Sequence, residues 1–313
     1  MANADPFLIV GIGASAGGIE ALKEFFSGVP ADPGLAFIIA THLSPNRESL
    51  LHEIVARYTA LPVEVARGQT KIERNHIYVL PANAVLGIKQ GHLQLRDEHK
   101  HRERKLIDVF LSSLAVDAGE RSVGVILSGA DADGTLGLKV IKEYGGVTMA
   151  QVGDGSPPRH PEMPEAAIHA GVVDFALPAR EMGETLVRLG QLMASLNEKS
   201  VDGKPVEIEK PFELALPEVY ALLRNQVGHD FSGYKKKTFI RRVQRRMHVR
   251  QLHTVEAYVD MLRQEPHELA ALFRDLLINV TNFFRDEESF ATLEKLVIAK
   301  LFEGRGANDT VRI

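Results

Sequence analysis

Short apolar runs alternate with helical patterns through the first two thirds of the chain, and this alternation limits the possible folds more than any other feature. Uniformly apolar runs are typical of strands buried on both faces, and they occur at residues 7–11, 35–40, 77–81, 123–127 and 147–150. Patterns of helical spacing separate most of these runs, including residues 17–26, 47–58 and 106–118, and another follows the last run at 162–169. We therefore predict an α/β fold with a doubly wound, mainly parallel sheet and helices on both faces.

The pattern changes after a polar stretch, NEKSVDGKPVEIEKP at residues 197–211, which we interpret as a linker. Residues 212–313 show helical patterns and no convincing strand, which predicts a smaller all-α domain after a first domain at residues 1–196. Net charge is −6 over residues 1–212 and +2 over residues 213–313, which supports two separate domains. The last residues look like the opening of a strand, so we expect a truncated chain.

Composition excludes several classes of protein. The 313 residues include no cysteine, so disulfides, thiolate metal sites and a cysteine nucleophile are ruled out. No apolar run is long enough to span a bilayer and no signal peptide is evident, so we expect a cytoplasmic protein without direct membrane insertion. The net charge of −4 gives no general attraction to nucleic acid. We predict no metal site.

The glycine-rich turn GIGASAGG at residues 11–18 joins the first strand to the first helix. The spacing of Gly11, Gly13 and Ala16 fits a dinucleotide-binding turn, which needs an acidic residue at the end of the second strand. That strand instead ends at Thr41 and His42. The missing acid weakens this interpretation and with it a nucleotide-dependent oxidoreductase.

The same turn also contains G-x-S-x-G, centred on Ser15, which is the spacing of a serine hydrolase. Backbone N–H groups of Ala16, Gly17 and Gly18 would then stabilise an oxyanion at the start of the helix. The alternative is that Ser15 only caps the helix.

A serine nucleophile needs a base, and two further residues follow predicted strands. His42 follows the second strand and Asp133 follows the strand at residues 123–127, so both fall at the same sheet edge as Ser15. Together they have the composition of a catalytic triad. The alternatives stay open: His42 as a simple loop residue, and Asp131 and Asp133 as helix caps.

Four segments resemble the CheB-type protein-glutamate methylesterases: IVGIGASAGGIEAL at residues 9–22, THLSP at 41–45, VILSGADADG at 125–134 and MPEAAI at 163–168. The resemblance implies a doubly wound domain that hydrolyses γ-glutamyl methyl esters of chemoreceptors in chemotaxis and deamidates glutamines as a side activity. It also implies Ser15 as nucleophile, His42 as general base, Asp133 as the residue that orients the histidine, and no cofactor.

The chain departs from this family at the site itself. Ala16 stands where threonine is frequent, and Gly129-Ala130-Asp131 replaces the usual Gly-Met-Gly. We expect these changes to affect rate and specificity more than the triad. The resemblance to the esterase begins within the first ten residues, so we expect no receiver domain in this chain and an esterase activity that is constitutive or controlled by the second domain or a partner.

The second part resembles the helical N-terminal domain of CheR-type methyltransferases, chiefly through LLINVTNFFR at residues 276–285. The resemblance implies that Asn279, Thr281 and Arg285 belong to an S-adenosylmethionine site. That site is incomplete here, so we expect weak or no methyl transfer. The family analogy also favours docking on acidic receptor helices by four basic residues, Arg241, Arg242, Arg245 and Arg246. A solvated basic face is the simpler alternative.

These observations favour a serine hydrolase that demethylates glutamyl esters of chemoreceptors or similar signalling proteins. The alternative function is a catalytically silent module for receptor docking or regulation. It predicts receptor binding without methanol release.

Overall fold

The computed structural model describes residues 7–41, 50–81, 84–97, 105–198 and 209–277, together with Thr292. Its centre is a seven-stranded parallel sheet. The strands are β1 (Ile9–Ala14), β2 (Ala36–Thr41), β3 (Val63–Val65), β4 (Ile77–Val79), β7 (Ser122–Ile126), β8 (Val147–Gln151) and β9 (Phe175–Leu177). Their order across the sheet is β3-β4-β2-β1-β7-β8-β9. An antiparallel hairpin of β5 (Ala84–Lys89) and β6 (His92–Asp97) lies outside this sheet. The predicted α/β fold class is confirmed.

Helices cover both faces of the sheet. They are α1 (Gly18–Ser27), α2 (Leu51–Ala56), α3 (Leu106–Ala118), α4 (Thr135–Glu143), α5 (Glu162–His169) and α6 (Ala179–Glu198). One core contains apolar side chains of α1, α2 and α6, and the other those of α3, α4 and α5. Strand residues alternate between these cores, as expected of a central parallel sheet.

The glycines of β1 have a packing role. A Cβ atom on Gly11 would lie 2.7 Å from Leu114, and one on Gly13 would lie 2.5 Å from Ile107. Both contacts are with α3, so the two glycines allow this helix to lie directly on β1. Their spacing is explained by packing alone.

Most predicted elements are confirmed to within a few residues. The short strands β3 and β9 were not predicted. The edge strands have only three residues each, which is too short for a clear alternation of polar and apolar positions.

The helical module, which we define as residues 209–277, has its own apolar core. Its helices are α7 (Glu209–Val227), α8 (Lys236–Val249), α9 (Val255–Gln264) and α10 (Pro266–Leu277). Helix α6 extends to Glu198 and α7 starts at Glu209, so helix occupies both ends of the predicted linker. The sheet and the helical module belong to one compact unit, residues 1–278. Within the described ranges, no helix is both long and apolar enough to cross a bilayer.

Candidate active site

Ser15 occupies a tight turn between β1 and α1. Strand β1 ends at Ala14, and α1 begins at Gly18 after Gly17 adopts the left-handed conformation with φ 71°. A Cβ on Gly17 would lie 2.7 Å from the Ser128 hydroxyl, so backbone strain and lack of space both favour glycine there. The turn leaves Ser15 half-buried at the carboxyl edge of the sheet, by which we mean the ends of β1, β2 and β7.

Backbone hydrogen bonds fix this turn to the neighbouring strands. The Ser15 N–H donates to the Ser128 carbonyl at 3.0 Å, and the Ser128 hydroxyl donates to the Ala16 carbonyl at 2.9 Å. The Ser128 N–H donates in turn to the buried Gln151 side chain at 2.8 Å. The residue at the nucleophile position is therefore held by contacts from the ends of β7 and β8, as a preorganised site requires.

The start of α1 presents backbone donors beside Ser15. The Gly18 N–H is already donated to the Ser15 carbonyl at 2.9 Å, so it is not available to an oxyanion. For the N–H groups of Ala16 and Gly17 we find no acceptor among the residues that the structure describes. Of the three predicted oxyanion donors, these two fit the role best.

Asp133 is a buried carboxylate held by the ends of two helices. Its side chain is 1 % exposed, and it accepts hydrogen bonds from the N–H groups of Ile107 and Asp108 at 3.0 Å and of Gly134 at 2.9 Å. The first two belong to the start of α3, and Gly134 directly precedes α4. These donors stabilise a negative charge, as helix N-termini do.

The neighbouring carboxylate Asp108 lies close enough to Asp133 for the negative charge of Asp133 to affect its pKa. Burial raises its pKa, and the charge of Asp133 adds to this, while a hydrogen bond from the Gly137 N–H opposes it. The two acids therefore have different surroundings, with three backbone donors around Asp133. This arrangement supports Asp133 as the charged partner of a triad.

Asp131 has a different position. It is exposed, its φ is +79°, and its own side chain accepts the Ala132 N–H at 2.6 Å. The resemblance places glycine here, which the left-handed backbone explains, and aspartate is among the residues that tolerate that conformation. Its exposure and local hydrogen bond give Asp131 no evident catalytic task.

The predicted base, His42, lies outside the described residues. The preceding residue, Thr41, is the last of β2 and pairs in register with Ala14, the residue before Ser15. The adjacent pair Gly13 and Ile126 places the end of β7 beside them.

The predicted cofactor residues also fall outside the described residues, so their role stays a prediction. They are Asn279, Thr281 and Arg285.

Two residues near the site were missed as candidates. The backbone of His160 accepts the Gly129 N–H at 2.9 Å and donates to the Ser128 hydroxyl at 3.1 Å, which places its ring beside the turn. Met163 lies against Gly129, where a Cβ would be 2.1 Å from its sulfur and 3.0 Å from the Ser15 Cβ. The segment at residues 163–168 was noted in the sequence, but nothing local indicated these contacts.

The structure contradicts the predicted receptor-docking surface on α8. Arg242 and Arg245 are each 2 % exposed and Arg246 is 6 % exposed, so their guanidinium groups are not presented to a partner. They face the sheet and α10 instead, and only Arg241 of the four is half-buried. Helical spacing does not distinguish a solvated face from an internal one.

Comparison with known proteins agrees with this architecture. Residues 10–186 match the CheB methylesterase family, and residues 215–277 match the all-alpha domain of CheR methyltransferases. The chain resembles the crystal structure of the Thermotoga maritima CheB methylesterase catalytic domain with a TM-score of 0.54 and 26% identity. The match covers 59% of this chain and 100% of that one.

Curated relatives match either most of this chain or little more than half of it. An uncharacterized 104.1 kDa protein of Rhodobacter capsulatus is 32% identical over 83% of this chain, which spans only 29% of that protein's length. A putative protein-glutamate methylesterase/protein-glutamine glutaminase of Leptospira interrogans is 31% identical over 58% of this chain and 93% of its own length. A Pseudomonas aeruginosa protein-glutamate methylesterase/protein-glutamine glutaminase is 32% identical over 58% of this chain and 52% of its own length. With more than half of its residues matched, the chain belongs to the CheB methylesterase family.

Proposed function

We propose that this chain is a cytoplasmic serine esterase that hydrolyses γ-glutamyl methyl esters of chemoreceptors or related signalling proteins. One observation carries the proposal: Ser15 and the buried, hydrogen-bonded Asp133 follow adjacent strands at the carboxyl edge, and the residue before His42 ends the next strand in register. Family membership supports the reaction, because relatives over this region are named protein-glutamate methylesterases.

The proposed reaction is a two-step acyl transfer. The Ser15 hydroxyl attacks the ester carbonyl while the His42 imidazole takes its proton, and Asp133 holds the imidazole in the required tautomer. The N–H groups of Ala16 and Gly17 stabilise the oxyanion. Methanol leaves with the proton from His42. Water then attacks the acyl-serine while His42 takes its proton, and the release of glutamate returns that proton to the Ser15 oxygen.

The same residues can also hydrolyse the side-chain amide of glutamine, whose leaving group is ammonia instead of methanol. An amide carbonyl has the same geometry as the ester, so glutamine deamidation needs only that His42 protonate departing ammonia. Relatives carry the name protein-glutamine glutaminase as well. We propose ester hydrolysis as the main activity because methoxide is expelled more easily than an amide nitrogen.

Substitution of Ser15 by alanine tests the nucleophile. We expect Ser15→Ala to retain the fold and to lose esterase activity by roughly 10³-fold or more. Methanol release from a methylated receptor fragment measures activity, and a fluorophosphonate probe should label the unmodified chain but not the variant. Ser27→Ala serves as the control, because it removes an exposed hydroxyl at the far end of α1 and should leave labelling unchanged. Persistent methanol release from Ser15→Ala would contradict the assignment.

For the helical module, S-adenosylmethionine stays the predicted cofactor of the residues at 279, 281 and 285.

A further inference from the structure

Helix α4 connects the candidate site to the helical module. Asp133 and Gly134 directly precede its first residue, Thr135. Its last residues, Lys142 and Glu143, lie at the opposite edge of the sheet, near the start of β8. Nine residues of α-helix span only about 14 Å and act as a rigid rod. A group that fixes one end of this helix therefore influences the other end.

The N-terminal end of α4 is locked to the Asp133 loop. Asp133 accepts the Gly134 N–H, and Asp108 accepts the Gly137 N–H from the first turn of α4 at 2.8 Å. A Cβ on Gly137 would lie 2.6 Å from Leu111, so α3 and α4 are in close contact there. A shift of α4 would therefore disturb the donors that hold the Asp133 carboxylate.

The C-terminal end of α4 is held by the helical module. Arg242 donates to the carbonyls of Lys142 at 2.8 Å and Glu143 at 3.1 Å, and Arg245 Nε donates to the Gly146 carbonyl at 3.0 Å. Carbonyls at a helix C-terminus lack partners within the helix and carry partial negative charge. The guanidinium group of Arg242 thus caps α4 from outside its own domain, and that of Arg245 holds the segment between α4 and β8.

A buried ionic network surrounds this cap. Arg245 binds Asp174, which precedes β9, and Asp275 of α10, while Lys142 Nζ lies 3.1 Å from Asp174 and 3.3 Å from Asp275. Burial opposes the charge of Asp174, but Arg245, Lys142 and Arg246 outweigh it and lower its pKa to about 2. The side chains of all these groups are almost fully buried, so breaking the network would leave unpaired charge.

We propose that Arg242 is a positioning residue of the esterase, which acts through α4 to keep Asp133 in place. On this basis the helical module supports the active site of the sheet domain from the opposite edge of the sheet. The inference rests on the proposed function for its kinetic consequence, but its structural consequence can be measured separately.

The test compares Arg242→Gln with the unchanged 313-residue chain. We expect hydrogen exchange over residues 133–138 to become at least about fivefold faster, since α4 loses the contacts that cap its last turn. We expect kcat for a small methyl ester to fall about fivefold with KM unchanged, because the substrate contacts stay intact. Arg242→Lys should recover part of both effects, because its ammonium can donate to one of the two carbonyls.

The matched control is Arg263→Gln. Arg263 lies in α9 of the same module, is half exposed, and pairs with Glu218 and Asp260, so its loss should change neither readout. Faster exchange confined to residues 139–146, or faster exchange over 133–138 with normal kcat, would overturn the proposal. If Arg242→Gln does not fold, Arg242→Lys replaces it in the test. It must then show faster exchange over residues 133–138 and a lower kcat than the unchanged chain, and unchanged values of both would overturn the proposal. Absence of Ser15-dependent activity in the unchanged chain would remove the proposed function, and the exchange result would still decide whether Arg242 positions α4.

Discussion

The two edges of the same sheet have opposite chemistry. At the carboxyl edge, the half-buried Ser15 and the backbone amides of Ala16 and Gly17 surround the candidate site. At the amino edge, where β8 and β9 begin, buried arginines from the helical module fill the space around Asp174. One edge is suited to receive a substrate, and the other is closed by a second part of the chain.

Helix polarity explains the contrast. In a parallel sheet with crossover helices, helix N-termini gather at the carboxyl edge and helix C-termini at the amino edge. Free N–H groups attract a carboxylate such as Asp133 or a developing oxyanion. Free carbonyls attract cations such as Arg242. The same backbone geometry therefore favours catalysis at one edge and arginine-mediated docking at the other.

The largest expected effect concerns the two carboxylates at the carboxyl edge. We expect Asp133→Asn to reduce esterase kcat roughly 10³- to 10⁴-fold, because the imidazole loses the partner that sets its tautomer. Asp131→Asn should change kcat by about twofold at most, since an exposed loop carboxylate contributes little. Methanol release measures both. A more severe loss in Asp131→Asn would show that the functional carboxylate is the exposed one.

The next effect tests the amino edge by stability rather than by activity. Arg245→Ala leaves Asp174 and Asp275 buried with Lys142 as their main cation, so we expect a loss of about 3–5 kcal/mol of unfolding free energy. Arg263→Ala removes only exposed pairs and should cost about 1 kcal/mol or less. Urea unfolding followed by circular dichroism provides the values. Equal losses in the two variants would mean that the buried network contributes no more than a surface pair.

The smallest effect is a pH dependence at the amino edge. Burial, reinforced by Arg245, lowers the pKa of His248 to about 4. An unfolded histidine titrates near 6.5, so between about pH 6.5 and pH 4 the unfolded state binds a proton that the folded state does not. Stability from this group is therefore present above pH 6.5 and is lost as the pH falls towards 4. Urea midpoints from pH 7 to pH 4.5 should decrease more for the unchanged chain than for His248→Gln, and parallel decreases would contradict this assignment.

Much of the sheet domain was predictable because its signals are local. Buried runs marked the central strands, and the glycines around Ser15 marked the strand-to-helix turn. The three-residue strands β3 and β9 were missed because so few residues show no period. His160 and Met163 were missed as site residues because their proximity to Ser15 depends on contacts between segments distant in sequence.

The arginines of α8 show where sequence reasoning failed. They were predicted to dock on a partner, because no local pattern indicates that Lys142, Asp174 and Asp275 converge on them. A buried arginine is acceptable only where carbonyls and carboxylates from several segments meet, and such a meeting point has no local pattern.

The sequence alone determined the class of fold, the serine turn and the order of the residues proposed for catalysis, because strand periodicity and glycine requirements act over a few neighbouring residues. The tertiary structure alone decided which carboxylate is buried between helix ends and which basic side chains are internal. Burial and side-chain pairing depend on segments far apart in the sequence, such as the Arg242 guanidinium and the Lys142 carbonyl 100 residues away, and only the packed chain brings them together.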